Sequence, residues 1–148
     1  TVWATVSFSR GLFGKAANPA HIEKVLRELS LWDKNDSKIM TLSGGMKQKL
    51  GLACTLVVTP EVLLLDEPTH GIDIAAKARI HRAMGDFVHR GGSVLLSSSD
   101  LAELLDLSHE IVVLRLGRRV AEFHTPETTH DEVVGAITGA HALTGGTA

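Results

Sequence analysis

The sequence predicts an α/β fold built on a parallel sheet. Three short apolar runs are separated by helical patterns, and each run is typical of a buried strand: Val62 to Leu65, Val94 to Leu96, and Ile111 to Leu114. Continuous apolarity of this kind indicates a strand covered on both faces. Strands and helices that alternate along the chain favour parallel pairing with right-handed crossovers. Such sheets bind ligands at the carboxyl ends of their strands, so the polar residues after the first two runs are candidates for a site.

The first 60 residues are predicted to form a separate helical part. Residues 1–18 show no clear period and are interpreted as a loop with room for a short helix. From Pro19 the pattern turns helical, and the polar residues 33–41 that follow are interpreted as a loop. The apolar residues of the helix recur at the spacing of one helix face: Ile22, Val25, Leu26 and Leu29.

Further helices are predicted from capping residues and apolar stripes. Ser43 is a natural N-cap, and Thr59-Pro60 ends the helix that it starts. The first of these helices covers residues 44–58, and the second covers residues 74–89. A short helix follows Asp100, with Glu103 three residues on as in a capping box, and a last helix begins at Thr129 and Glu132 and ends at Ile137. The apolar residues expected to face the core from the second helix are Ile80, Ala83, Met84, Phe87 and Val88.

Residues 61–141 are predicted to hold the C-terminal part of the α/β core. Within them a turn at Gly117 leads to an edge strand from Arg118 to Phe123. Residues 142–148 are interpreted as a disordered tail. We expect the chain to begin inside a longer protein, because Thr1 is not an initiator Met.

Composition excludes several classes of protein. A net charge of −2 argues against a nucleic-acid binder that works through bulk charge. The single cysteine, Cys54, excludes an internal disulfide framework and is interpreted as a small core hydrophobe. No apolar run approaches the roughly 18 residues that a membrane span needs.

Two adjacent carboxylates, Asp66 and Glu67, follow the first apolar run. Neighbouring strand residues point to opposite faces, so the two side chains are expected to have different roles. A carboxylate at the end of an apolar strand is partly desolvated, which favours a metal partner. In a nucleotide site the first carboxylate orients Mg²⁺ and the second polarises the attacking water. Taken alone, Asp66 and Glu67 are explained equally well as an exposed pair that only ends a strand before a proline turn.

Ser43, Gly44 and Gly45 begin the predicted helix of residues 44–58. Glycines at a helix start expose backbone N–H groups and let an anion approach closely. The positive potential of the helix N-terminus adds to this attraction, so the three residues could form a phosphate receptor without a lysine. Taken alone, these three residues are better explained as the start of an ordinary capped helix that follows a flexible loop.

The order of these motifs, with 23 residues from Ser43 to Asp66, resembles the ABC ATPase family. The resemblance covers about residues 20 to 140. The matching segments are Leu42 to Met46 for the signature motif, Asp66-Glu67 for Walker B and the catalytic glutamate, Pro68-Thr69 after it, His70 to Asp73 for the D-loop, and Ser97 to Asp100 for the switch position.

The resemblance implies a P-loop NTPase-like parallel sheet core, here partial, with a helical signature subdomain on its N-terminal side. It also implies ATP and Mg²⁺ as cofactors, and a head-to-tail dimer with a second ABC ATPase domain. In that dimer each ATP lies between the Walker motifs of one domain and the signature loop of the other. The implied site residues are Glu67 and Ser99 for catalysis, Asp66 for the metal, and Ser43, Gly44, Gly45, Gln48 and Asp73 for the nucleotide and the interface.

The implied partner in the membrane is a transmembrane permease, with the protein on the cytoplasmic face and no nucleic acid involved.

Two segments of the sequence indicate different subfamilies. Residues 69–77, 95–104 and 137–139 are similar to the second ATPase domain of bacterial carbohydrate-uptake transporters. Residues 45–49 are more similar to ATPases of ABC-2-type exporters, so the sequence names no transported substrate.

Three departures from the family pattern bear on activity. Residues 1–148 contain no G-x-x-x-x-G-K-[ST] phosphate loop and no glutamine loop before the helical part. Ser99 stands where most members have a histidine, and serine cannot carry charge. We therefore expect ATP hydrolysis from the complete protein but none from residues 1–148 alone. The alternative is a non-catalytic remnant or regulatory half that only offers its signature loop to another ATPase.

Overall fold

The computed structural model describes residues 1–139 and divides the chain into two compact units. The first unit covers residues 1–97, and the second begins at Ser98. The predicted tail at residues 142–148 lies outside the described residues, and the predicted domain boundary after residue 60 stays a prediction. None of the helices in residues 1–139 has the length and apolarity needed to cross a membrane.

Among the described residues the first unit holds four α-helices and two strands, and the second holds two α-helices and two strands. In the first unit these are α1 Val2–Leu12, α2 Pro19–Glu28, α3 Gly44–Leu56, β1 Val62–Asp66, α4 Ile74–His89 and β2 Ser93–Ser97. In the second they are α5 Leu101–Leu107, β3 Glu110–Arg115, β4 Arg118–His124 and α6 His130–Thr138.

Helix α1 corrects the prediction that residues 1–18 are mainly loop. The Thr1 hydroxyl caps the helix by accepting from the N–H of Ala4, and Val2 and Val6 are completely buried. Outward-facing Phe8 is 70% exposed, so apolar residues lie on both sides of the helix and no amphipathic period is visible in the sequence. Packing against α3 and α2, rather than a local pattern, therefore stabilises α1.

Helix α2 confirms its predicted stripe, because Ile22, Val25, Leu26 and Leu29 are all buried. Each such side chain contributes about 1.5–3 kcal/mol when it is fully buried. Cys54 is half-buried on α3, as expected for a small apolar side chain, and burial raises the pKa of its thiol, although a hydrogen bond with Ser9 opposes this.

The predicted parallel pairing is confirmed for β1 and β2, which align from Val62 opposite Ser93 to Asp66 opposite Ser97. The expected burial of both faces is wrong in the described residues. Leu63 and Leu65 are buried, whereas Leu64 on the other face is 74% exposed and its neighbour Leu95 is 63% exposed. The apolar runs therefore have the composition of a doubly covered strand, but the first unit covers only one side.

Helix α4 spans the predicted residues and packs on β2. Its buried residues are Ala76, Ile80, Ala83, Met84 and Phe87. Val88 was expected in this stripe but is 37% exposed, because it lies at the edge of the helix face, one residue beyond Phe87.

The second unit is an antiparallel hairpin, β3 and β4, with helices packed on one face. Ile111 and Val113 of β3 are buried with Val133 of α6, while Leu104 of α5 and Phe123 of β4 pack around them. The third predicted strand is therefore not part of the parallel sheet: among the described residues it pairs with β4, and the two-residue turn between them makes this pairing antiparallel.

Helix α6 begins at the predicted pair, Thr129 and Glu132, which form a complete capping box. The Thr129 hydroxyl accepts from the N–H of Glu132, and the Glu132 carboxylate accepts from the N–H of Thr129. Gly139 ends the helix in the left-handed region with φ of 80°.

Candidate functional site

The start of α3 is an exposed helix N-terminus with free capacity to donate hydrogen bonds. The Ser43 hydroxyl accepts from the N–H of Met46 at 3.3 Å, and the Ser43 carbonyl accepts from Lys47 at 3.0 Å. The N–H groups of Gly44 and Gly45 precede the first intrahelical bond and have no carbonyl within the helix to meet. Because Ser43 and Gly44 are exposed, an anion can reach these donors.

Ser43 therefore has the capping role that the sequence predicted. Gly44 has open space around its missing side chain, since an added Cβ would meet no atom within 4 Å. At Gly45 an added Cβ would lie 3.3 Å from Cγ2 of Ile72. The two glycines thus differ: the first leaves an approach path for a ligand, and the second lets another segment pack closely.

Gln48 lies one turn further along α3 and is held by the segment after β1. Its Nε2 donates to the carbonyl oxygen of His70 at 2.8 Å. The sequence suggested that Gln48 binds the nucleotide, but in the structure its amide nitrogen bonds to the backbone. This contact joins two of the sequence motifs, the signature motif and the segment from His70 to Asp73.

The two carboxylates at the end of β1 have different surroundings. Asp66 is exposed and ends the strand, so its expected partial desolvation is wrong. Glu67 is half-buried, and its N–H continues the ladder by donating to the carbonyl of Ser97 at 2.8 Å. The different roles expected of the two side chains are compatible with these different settings.

The backbone of Glu67 is in the left-handed region, with φ of 46°. A residue other than glycine adopts this conformation at a cost of about 1–3 kcal/mol, and such strain often lies at functional sites. The turn is closed by the N–H of His70, which donates to the carbonyl of Glu67 at 3.1 Å. The chain therefore changes direction at Glu67 and presents its carboxylate at the strand end.

Asp73 has a structural task in this chain. Its Oδ1 accepts from the N–H of Ala76 at 2.8 Å and so caps α4. The side chain is exposed, with Gly71 before it at φ of 69°. This capping role accounts for an Asp at this position without any contact across an interface, which remains a prediction.

Lys49 is a charged residue of this region that the sequence reasoning did not select. It is 5% exposed and lies on the buried side of α3. Burial lowers the pKa of Lys49, the neighbouring Arg79 lowers it further, and Asp73 partly opposes both. Its position in the helix period, next to buried Leu50 and one turn before Leu52 and Ala53, is the signal that could have shown its burial.

Ser99 lies in the second unit, whereas every other predicted site residue lies in the first. It is exposed, in a loop that precedes α5. The loop is organised by Glu103, whose Oε2 accepts from the Ser98 hydroxyl at 2.7 Å. Asp100 caps α5 by accepting from the N–H of Glu103 at 3.1 Å, which confirms its predicted cap.

Glu103 is 2% exposed and was predicted only as part of a helix start. A carboxylate this deeply buried needs partners, and the Ser98 hydroxyl is one of them. The Ser98 oxygen in turn accepts from the N–H of Asp100 at 3.1 Å. The conformation of the Ser99 loop therefore depends on a buried acid that the sequence spacing did not reveal.

The residues at the end of β1 fit a magnesium nucleotide. Mg²⁺ bound with a nucleotide usually takes one or two protein carboxylates, and phosphate oxygens and water complete its shell. Asp66 supplies an exposed carboxylate of this kind. A glycine-rich helix start, a parallel strand that ends in Asp-Glu, and a capped helix after a short turn follow one another in the order expected from the resemblance to the ABC ATPase family.

Comparison with known proteins gives the same class. Residues 2–70 match the family described as ABC transporter. Over 101 residues the chain is 46% identical to the ribose import ATP-binding protein RbsA 2 of Rubrobacter xylanophilus, an overlap of 68% of this chain and 20% of that protein. Over 141 residues it is 34% identical to the ribose import ATP-binding protein RbsA of Streptococcus agalactiae, which is 94% of this chain and 29% of that protein.

Solved structures also match. A structure of an ATP-binding subunit of an ABC transporter superposes with a TM-score of 0.80 and 25% identity, over 93% of this chain and 62% of that one. An ATP-binding cassette in its ADP conformation gives a TM-score of 0.72 at 20% identity, over 97% of this chain and 61% of that one, which shows the fold alone.

The chain belongs to the ABC transporter ATP-binding domains, and within them it resembles the carbohydrate-uptake ATPases. It spans between 20% and 29% of the length of these two curated relatives.

Proposed function

We propose that these residues are the signature and Walker B portion of an ATP-binding subunit that couples ATP hydrolysis to solute transport through an ABC transporter. The observation that carries this proposal is the pairing within one unit of an exposed helix start at Gly44 with a strand end that presents Asp66 and Glu67. The curated relatives, which are ribose import ATP-binding proteins, support a carbohydrate as the class of solute.

The proposed role of each site residue follows from the chemistry of its side chain or backbone group. Glu67 accepts a proton from the attacking water, since a half-buried carboxylate at a strand end can act as a general base. Asp66 would hold Mg²⁺, and the ion when bound would neutralise charge on the phosphates. The N–H groups of Gly44 and Gly45, with the Ser43 hydroxyl, donate to the γ-phosphate of a nucleotide held mainly by a second ATPase domain.

The partners follow from this half-site. A signature turn that serves a nucleotide on another domain requires a head-to-tail dimer, in which each domain completes the site of the other. Coupling to transport requires a transmembrane permease, which places the protein on the cytoplasmic face of the membrane. Ser99 is proposed to donate one hydrogen bond at the switch position, where a histidine could also have carried charge.

The test uses the complete ATP-binding subunit that contains these residues, assayed with its membrane partner. Glu67→Gln keeps the shape of the side chain but removes the base, so kcat for ATP hydrolysis should fall about 10²–10⁴-fold. Gly44→Asp places a carboxylate where the phosphate is expected and should lower kcat about 10²-fold or more. Asp86→Asn is the matched control, because Asp86 is an exposed carboxylate on α4 and its loss should leave the rate unchanged.

A second candidate function is the non-catalytic half that only supplies a signature turn to a partner ATPase. The serine at position 99, where most family members have a histidine, favours it. In this case Gly44→Asp would stop hydrolysis by the assembly while Glu67→Gln would leave it intact. If both variants kept the wild-type rate, neither function would stand.

A further inference from the structure

The amide of Gln48 is committed to the backbone of its own chain. Its Nε2 donates to the His70 carbonyl at 2.8 Å, and Gln48 itself is half-buried. Its Oε1 is buried and has no hydrogen-bond partner within residues 1–139. A buried acceptor without a partner costs free energy, and a side chain such as Met would fill the same space without that cost. Packing alone therefore does not account for an amide at this position, whereas the bond to His70 does.

The bond to His70 continues to the proposed general base. The His70 N–H donates to the Glu67 carbonyl at 3.1 Å, and the Glu67 N–H donates to the Ser97 carbonyl at 2.8 Å. The left-handed φ of Glu67 is strained and persists only where its surroundings hold it. Gln48 is thus two hydrogen bonds away from the residue whose conformation presents the carboxylate.

The first turn of α3 and the turn after β1 also meet at a second point. The position of an added Cβ on Gly45 lies 3.3 Å from Cγ2 of Ile72, so the first turn of α3 and the turn after β1 are in close packing. Because Gly45 has no side chain, Ile72 can lie against the first turn of α3, and a larger residue at position 45 would crowd Ile72. We refer to Gly45, Gln48, Glu67, His70 and Ile72 together as the signature latch.

We propose that Gln48 is a positioning residue and not a nucleotide ligand: through the signature latch it transmits the state of the α3 N-terminus to Glu67 in the same subunit. The proposal rests on the proposed function, in which the α3 N-terminus serves the nucleotide of a partner domain and Glu67 serves the other nucleotide. An anion held by Gly44 and Gly45 orders the first turn of α3, and Gln48 then holds the Glu67 turn in its strained conformation. Each site would sense the other without a contact between the two nucleotides.

The first experiment uses the 148-residue chain and does not depend on ATP hydrolysis. Gln48→Met removes the donor to His70 and also the unpaired Oε1. Thr55→Val is the matched control, because the Thr55 hydroxyl also donates to a backbone carbonyl at 2.8 Å, two turns further along the same helix. Amide hydrogen exchange at His70 should be roughly tenfold faster in Gln48→Met than in wild type and unchanged in Thr55→Val. Equal exchange at His70 in all three proteins would refute the latch.

The second experiment measures ATP hydrolysis by the complete subunit with its membrane partner. Gln48→Met should lower kcat about fivefold to tenfold, leave KM for ATP within about twofold, and reduce the Hill coefficient towards 1. A rise in KM with unchanged kcat would instead make Gln48 a nucleotide ligand and overturn the proposal. Gln48→Glu, which keeps the length but cannot donate to a carbonyl, should behave as Gln48→Met does.

Different results would exclude the proposed function and the signature latch. If Glu67→Gln keeps the wild-type rate, the proposed function is lost, but faster exchange at His70 would still show the structural part of the latch. If Glu67→Gln abolishes hydrolysis and Gln48→Met changes neither kcat nor cooperativity, the proposed function stands and the latch does not.

Discussion

Adding one methyl group at Gly44 or at Gly45 should have opposite effects on the stability of the first unit. Alanine is a better helix former than glycine, and at these first-turn positions the gain is about 0.5 kcal/mol. At Gly44 the new Cβ meets nothing within 4 Å, so the gain is kept. At Gly45 it meets Cγ2 of Ile72 at 3.3 Å, and overpacking of this kind costs about 1 kcal/mol. Gly44→Ala should therefore stabilise the unit and Gly45→Ala should destabilise it, with about 1 kcal/mol between them.

Tryptophan fluorescence is the natural assay, because the only two tryptophans, Trp3 and Trp32, both lie in the first unit. Their rings meet edge to face with centroids 6.0 Å apart, so urea unfolding of this unit changes their environment. Ile72→Ala removes the opposing methyl group and should erase the difference between the two glycine variants, which a double-mutant cycle measures directly. Equal midpoints for Gly44→Ala and Gly45→Ala, or a difference that survives Ile72→Ala, would refute the packing argument.

Three further predictions concern other parts of the chain. Leu116 has φ of 51° in the two-residue turn between β3 and β4 and is 91% exposed. Because Asn adopts a positive φ more readily than Leu, Leu116→Asn should stabilise the hairpin by about 1 kcal/mol, whereas Leu116→Ala should not; amide exchange of β3 measures the difference. Burial lowers the pKa of His21 and Arg10 lowers it further, so the folded state disfavours the protonated ring. The unfolded chain therefore binds the extra proton first, and stability should fall as the pH drops below about 6.5; His21→Gln should flatten this dependence in urea titrations, and an unchanged slope would contradict it. The exposed Leu64 and Leu95 should make the isolated chain self-associate in sedimentation experiments, and Leu64→Lys should reverse this; a compact wild-type monomer would count against the prediction.

The sequence was sufficient wherever a feature depends on residues within about one helical turn. Helix α4 has its predicted limits, and the caps at Ser43, Asp100 and Thr129 form as predicted. A cap acts between an N-cap side chain and an N–H three residues later, and an apolar stripe repeats every three or four residues. Both signals are complete in the local sequence, which is why they could be read without a structure.

Burial across longer distances could not be predicted in this way. Helix α1 was missed because Val2 and Val6 are buried by other helices while Phe8 faces outward. The exposed face at Leu64 was missed because apolar composition specifies what a strand can bury and not which neighbours cover it. In the first case the deciding contacts come from other helices, and in the second case no part of the first unit covers the strand face.

In the candidate site, too, some features were predictable from the sequence and others depend on long-range packing. The sequence by itself determined the chemical groups, because the order of the glycine pair, Asp66 and Glu67 along the chain identifies the family and the positions of its donors and carboxylates. Only the tertiary structure decided that Gln48 bonds to His70, 22 residues away, and that Glu67 is held in a strained turn. The physical reason is that covalent order and helix period set which groups are present, whereas their hydrogen bonds depend on how separate elements pack.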